Sequence, residues 1–304
     1  MIIMFSDFPI IDIHVHCQPI PGFPRNFKGD TYPTPEQLIK QYDQLGIAKG
    51  VVLPLVSPEG RRIIQSNELL IYACKEHPNR LVPFCNIDPR MISNSPDAPL
   101  AHLLMYYVDK GCKGVGEVTA NLPFTNPLVQ NMFAACQLVN MPVIFHIAAS
   151  IGGMYGLYDE PRLPLLEETL KSFPDVTFLG HSQAFWSEIG QIKDESIRGR
   201  YPTGPIEKEG RVVELMKAYP NLHGDLSAKS GYNAISRDKE FGLRFMKNFQ
   251  DRLYFGTDIC VASQKTPLLS YFQEIYDDGI IAEAILEKIL FKNAEEILKN
   301  SAEN

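Results

Sequence analysis

"IDIHVH", residues 11–16, alternates apolar with ionisable residues. In an extended chain, residues two apart share a face, so the pattern places Asp12, His14 and His16 on one side of a strand. The other side, Ile11, Ile13 and Val15, is β-branched and apolar, which suits a buried sheet. Imidazoles and a carboxylate are costly to bury unless something satisfies them. The stretch therefore asks for a sheet and, at the same time, for a partner to its histidines.

Seven more short apolar runs follow: "GVVLPLV" (50–56), "LVPFCNID" (81–88), "GVGEVTANL" (114–122), "PVIFHIA" (142–148), "VTFLGHS" (176–182), "LHGDLSA" (222–228) and "LYFGTDI" (253–259). Runs of this kind are expected of parallel strands covered on both faces. Helix-period segments lie between them. In "TPEQLIKQYDQLG", Thr34 can cap, Pro35 suits the first turn and Gln37 completes a capping box. Leu38, Tyr42 and Leu45 form one apolar stripe, and Gly46 can stop the helix. Three helical segments end in the same way before a strand, at "EHPNRLVPF", "SFPDVTFLG" and "AYPNLHGDL". Eight strands alternating with helices predict an α/β fold, a (β/α)8 TIM barrel forming one domain over residues 1–304. A doubly wound open sheet is the competing architecture, but no GxGxxG follows the first strand.

The bulk properties narrow the partners. The net charge is −7 and no basic run occurs, which argues against a nucleic-acid or anionic-membrane partner. No apolar run approaches membrane-spanning length. The opening "MIIMFSDFPI" lacks the charged start and small-residue cleavage site of a signal peptide. Cysteines 17, 74, 85, 112, 136 and 260 form no CxxC pair. They read as small buried hydrophobes in a reducing compartment, and the cytoplasm is the expected location.

Ionisable residues collect where the strands end. His14 and His16 end strand 1, Glu117 lies on strand 4, His146 and His181 lie near the ends of strands 5 and 6, and Asp258 ends strand 8. Four of the seven histidines are in this set. In a barrel all six residues converge at one mouth, where a divalent cation would satisfy them together. Zinc is the first expectation, with manganese or another divalent ion open, and one or two ions per chain. The other histidines, 77, 102 and 223, read as structural, and Cys17 should face away from the site. Asp12 shares the histidine face one step deeper, as support for a ligand histidine or as a structural acid at the barrel floor.

These residues and motifs resemble the amidohydrolase superfamily. "IDIHVH", "GHSQAFW", "YPNLHGDLSA", "LYFGTD" and "ILFKNAEEIL" are similar to its amidohydrolase-2 branch, which includes aminocarboxymuconate-semialdehyde decarboxylase, over residues 10 to 298. The resemblance implies a distorted barrel, often homo-oligomeric, with His14, His16 and Asp258 on a first metal. It implies His146 and His181 on a second metal in a binuclear member, with Glu117 as a bridge. In the mononuclear decarboxylase branch strand 4 supplies no ligand, His146 joins the first metal, and His181 is a free catalytic group.

The implied chemistry is metal-assisted hydrolysis of a C–O or C–N bond in a lactone, ester or amide. Asp258 would act on water, and His181, if free, would steady the oxyanion. Non-oxidative decarboxylation of a small acid is the alternative, and a metal-held binding scaffold is the third reading. Loop cations Arg25, Lys28, Arg61, Arg62, Lys229 and Arg237 suggest a small anionic substrate. Trp186, the only tryptophan, is read as a stacking wall or as a loop anchor.

Overall fold

The structure is a computed structural model and describes residues 8–59 and 63–300. Arg61 and Arg62 lie outside the described residues. Strands β1 (Ile10–Val15), β2 (Ile47–Val52), β3 (Leu81–Pro83), β4 (Val115–Val118), β5 (Val143–Ala148), β6 (Leu157–Tyr158), β7 (Phe178–His181), β8 (Leu222–Asp225) and β9 (Leu253–Tyr254) alternate with helices. Every pairing between them is parallel.

The ladders run β1-β2-β3 and β4-β5-β7-β8-β9. Two single bridges close the ring. Cys85 pairs with Val115 between the β3 and β4 segments, and Val15 pairs with Ile259 between β1 and the end of the β9 segment. At that second seam Ile13 N–H donates to Phe255 O at 2.9 Å and His16 N–H donates to Ile259 O at 3.1 Å. The predicted barrel is therefore present, with eight strands in its wall among the described residues. The ninth, β6, pairs with the outer end of β5 in the loop that follows it.

The apolar runs are longer than the strands they contain. Ladder pairing in the eighth run stops at Tyr254, and in the fourth at Val118. The chain leaves the ladder where it must aim side chains into the mouth. Asp258 takes φ 50° and Ser182, just after β7, takes φ 107°, both in the region that non-glycine residues rarely adopt.

The helix Pro35–Leu45 forms as its sequence dictates. Thr34 and Gln37 make the reciprocal cap, and Gly46 ends the helix at φ 73°. Ile11, Ile13, Val51, Leu53, Phe84, Ile144, Leu179 and Tyr254 form a cluster of their own, drawn from strands around the ring. They fill the barrel interior, and Ala294 and Ile297 of the last helix close it from below. Outside, Phe133 meets Phe178 edge-on at 5.1 Å and Phe124 meets Phe145 at 5.2 Å. Each such buried ring contributes on the order of 2–3 kcal/mol.

One feature of β1 overturns the simple alternation. Asp12 is opposite Gly50 but Val15 is opposite Val52, so β1 carries one extra residue between them. A bulge of this kind changes which side the following residues face. Ile11 and Ile13 point into the barrel interior, and so do His14 and His16 beyond the bulge. Asp12 does not share their face; it turns to Tyr42 of the helix Pro35–Leu45.

Candidate metal centre

Hydrogen bonds fix both histidines of β1. His14 Nδ1 donates to Asp225 Oδ2 at 2.6 Å, and His16 Nδ1 donates to the Leu53 carbonyl at 2.8 Å. Both Nε2 atoms then face each other across 3.1 Å. With their Nδ1 protons committed, two neutral rings would present lone pair to lone pair, which repel unless a positive charge sits between them.

Two carboxylates flank that point. Glu117 Oε2 lies 3.5 Å from His16 Nε2 and 3.9 Å from His14 Nε2. Asp258 Oδ1 lies 3.5 Å and 3.7 Å from the same two atoms. Donor atoms of His14, His16 and Asp258 lie within 4.8 Å of one another, as do those of His14, Glu117 and His181. Asp258 is the member that reaches solvent, with a quarter of its side chain exposed.

The electrostatics ask for a cation. Burial works against a charged His14, yet Asp225, Asp258 and Glu117 outweigh it and push its pKa up to about 10. Burial also opposes ionisation of Glu117, but bonds from His146 and His16 hold its carboxyl well below the usual range. Asp225 is lowered as well, by His14 and His181 against its burial. The pocket thus holds ionised carboxylates that draw positive charge onto His14. A divalent ion serves the same need through nitrogen and oxygen donors, so the residues present fit a metal.

His181 sits beside His14, with ring centroids 4.5 Å apart. Its Nδ1 is 2.9 Å from Ser227 Oγ and 3.4 Å from Asp225 Oδ2, which leaves Nε2 toward Glu117 at 4.0 Å. Burial and then the neighbouring His14 push its pKa down to about 4, so the ring stays neutral. His146 donates from Nδ1 to Glu117 Oε1 at 2.7 Å, and its ring packs against Tyr155. It stands outside both compact donor groups.

The sequence reading missed Asp225. It is fully buried, bonds His14, and lies 3.4 Å from His181. The signal was available: "LHGD" ends in an acid at its strand terminus, just as "YFGTD" does. Gly256 makes this packing possible, because a Cβ there would meet Ser227 Cβ at 2.6 Å and Asp225 Oδ1 at 3.0 Å.

The loop residues divide. Arg25 lies at the mouth: Nη1 donates to Cys260 O at 3.3 Å and its guanidinium lies over Tyr32. Lys229 is exposed and lies over the Tyr201 ring. Trp186 is no substrate wall. It is 2% exposed, donates Nε1–H to the Asp225 carbonyl at 2.8 Å and packs against Gly224, so it anchors the β7 loop to β8. Arg237 lines a separate cleft that none of the six strand-end residues borders. His223 is bonded to Tyr254 Oη at 2.9 Å.

Comparison with known proteins agrees with this architecture. The amidohydrolase family profile matches residues 11–299, and the chain belongs to that family. No curated protein sequence matches it. Among solved structures, it is similar to a probable 2-pyrone-4,6-dicarboxylic acid hydrolase from Acinetobacter baumannii, at 13% identity and TM-score 0.56, covering 96% of this chain and 100% of that one. It is also similar to 5-carboxyvanillate decarboxylase from Novosphingobium aromaticivorans complexed with manganese, at 14% identity and TM-score 0.61, covering 97% of each chain. An amidohydrolase from Burkholderia multivorans with bound zinc is similar at 12% identity and TM-score 0.61, covering 95% of this chain and 99% of that one. At these identities the likeness speaks for the fold, which in these proteins carries both hydrolysis and decarboxylation.

Proposed function

We propose that this chain is a metal-dependent hydrolase acting on a C–O or C–N bond of a lactone, ester or amide in a small anionic substrate. The observation that carries this reading is the position of Glu117, 3.5 and 3.9 Å from the two Nε2 atoms of β1 and facing Asp258 across them. A strand-4 carboxylate among the donors matches the binuclear hydrolase pattern better than the decarboxylase pattern. His14, His16, Glu117 and Asp258 would hold an ion, with His181 beside Glu117 available to a second.

When bound, a divalent ion supplies a water pKa lowered to ~7 and polarisation of the scissile carbonyl. Asp258, the solvent-facing carboxylate, accepts the proton of the attacking water and passes it to the leaving group. His181, held neutral, supports the developing oxyanion. Arg25 receives a substrate carboxylate at the rim, where its guanidinium is already oriented by Tyr32.

The test has two parts. Metal content is measured on the purified protein, and turnover is then screened against lactones, esters and amides bearing a carboxylate. Carboxylic acids are screened in parallel for released CO2. Two ions per chain with acid release supports hydrolysis. One ion per chain with CO2 release replaces it with the decarboxylase reading.

A further inference from the structure

The loop that follows β7 builds a second polar site, away from the strand-end cluster. Gly190 pairs with Glu209 in an antiparallel bridge, and Gln191 N–H donates to Lys208 O at 2.9 Å. The loop is tied down on its other side as well. Asn233 Nδ2 donates to Pro202 O at 3.1 Å, and Ile206 N–H donates to Asp238 Oδ2 at 2.9 Å. Between these ties lies a cavity of about 380 Å³ whose walls include Lys193, Arg200, Lys208 and Arg237.

Its charge is unbalanced. Among the described residues Glu207 is the one acid in its lining, and it is occupied by Lys193 at 2.6 Å. Among the described residues, no ion pair joins Arg200, Lys208 or Arg237 to a carboxylate. Asp194 and Asp238 act on Arg200 and Arg237 only through space. The chain as a whole carries −7, so a local excess of cations here is not a general feature of its surface.

Arg237 gives the sharper signal. Its Nε is shut off from solvent and has no acceptor. Nη2 lies 3.0 Å from where a Cβ on residue 190 would stand, so the glycine leaves the guanidinium its place. Burial pulls the Arg237 pKa below its ordinary value, and Asp238 offsets that only in part. Arg237 is half-buried with no carboxylate in contact, so an anion in the cleft would supply a close counter-charge to a guanidinium that water reaches only in part.

The geometry points to a second anion site: the cleft between loop 190–208 and Arg237 binds a small polyanion, a phosphorylated or polycarboxylate molecule, on Arg200, Lys208 and Arg237. Guanidinium and ammonium groups facing a common cavity suit ligands with several anionic oxygens. A molecule there would also touch Tyr201, whose hydroxyl accepts from Gln183 Nε2 at 3.0 Å, two residues past His181. The site therefore shares no residue with the strand-end cluster.

Calorimetric titration of the purified chain tests this with two probes, inorganic pyrophosphate and tricarballylate, at low ionic strength. Binding of at least one is expected, weakening as salt is added. The same titration on Arg237→Gln and on Lys208→Gln should show affinity lower by about tenfold or more. Binding should persist in His16→Asn, which separates this cleft from chelation at the metal centre. The probe that binds more tightly assigns the ligand to the phosphate or the carboxylate class. Absence of heat for both probes at millimolar concentration, unchanged affinity in both cleft variants, or loss of binding in His16→Asn would each overturn the proposal. If Arg237→Gln fails to fold, the exposed positions carry the test through Lys208→Gln and Arg200→Gln.

Discussion

Asp12 and His14 are two residues apart on one strand, and their surroundings are opposites. Asp12 is closed by protein donors on every side: Tyr42 Oη at 2.7 Å, Thr257 N–H at 2.9 Å, Thr257 Oγ1 at 2.5 Å and His14 N–H at 3.0 Å. His14 and His16 have their Nδ1 atoms satisfied and their Nε2 atoms turned toward each other and toward two carboxylates. Both regions are buried and polar. One is complete as protein, whereas the other keeps its valences directed at a common point. A structural polar cluster exhausts its bonding capacity internally, while a site for an ion leaves it converging and open.

The two regions are also mechanically joined. The Asp12–Thr257 bonds pin the chain beside Asp258 to β1, and Asp258 N–H in turn donates to His14 O at 2.8 Å. The closed cluster thereby sets the height at which Asp258 stands over the histidines.

Four experiments would break or sharpen this contrast. The largest effect is expected at the open region. Chelation should remove all turnover while the circular dichroism spectrum persists, and added zinc or manganese should restore it. Turnover that survives exhaustive chelation would end the metal assignment. Next, Asp258→Asn should lower kcat by about 10³-fold or more, with the melting temperature little changed. A variant of near-normal rate would remove Asp258 from the proton path.

At the closed region the expected loss is in stability. Asp12→Ala deprives Tyr42 and Thr257 of their acceptor, and denaturant titration should show a loss of about 3–5 kcal/mol. A loss below about 1 kcal/mol would show that this cluster does not hold the barrel seam. The smallest effect is at the residue that steadies the open region from behind. Asp225→Asn should weaken metal binding by about 10–100-fold, read by competition with a chromogenic chelator, and leave the fold intact. Unchanged affinity would mean that Leu53, Glu117 and the strand backbone orient the imidazoles without it.

Much of this was legible in the chain itself. The eight β-rich runs, the capped helix after the first strand, and ionisable residues at strand ends are local patterns. Local patterns follow from side-chain period and capping chemistry. The positions of His14, His16, Glu117, His181 and Asp258 at one mouth follow from those patterns once a barrel is assumed. His146 joins the cluster through its bond to Glu117 and is not itself a member of either compact donor group.

Only the tertiary structure decided the rest. The extra residue in β1 turned Asp12 away from the histidines, and nothing in an alternating run announces a bulge. Asp225 became a partner of His14 across 211 residues of sequence because the closed ring brings β8 close to β1. Arg25 and Arg237 look alike as loop cations, yet one borders the strand-end cluster and the other a separate cleft. Period and composition act over a few residues, so they specify which groups a strand carries. Where those groups meet is set by ring closure and register, which belong to the whole chain.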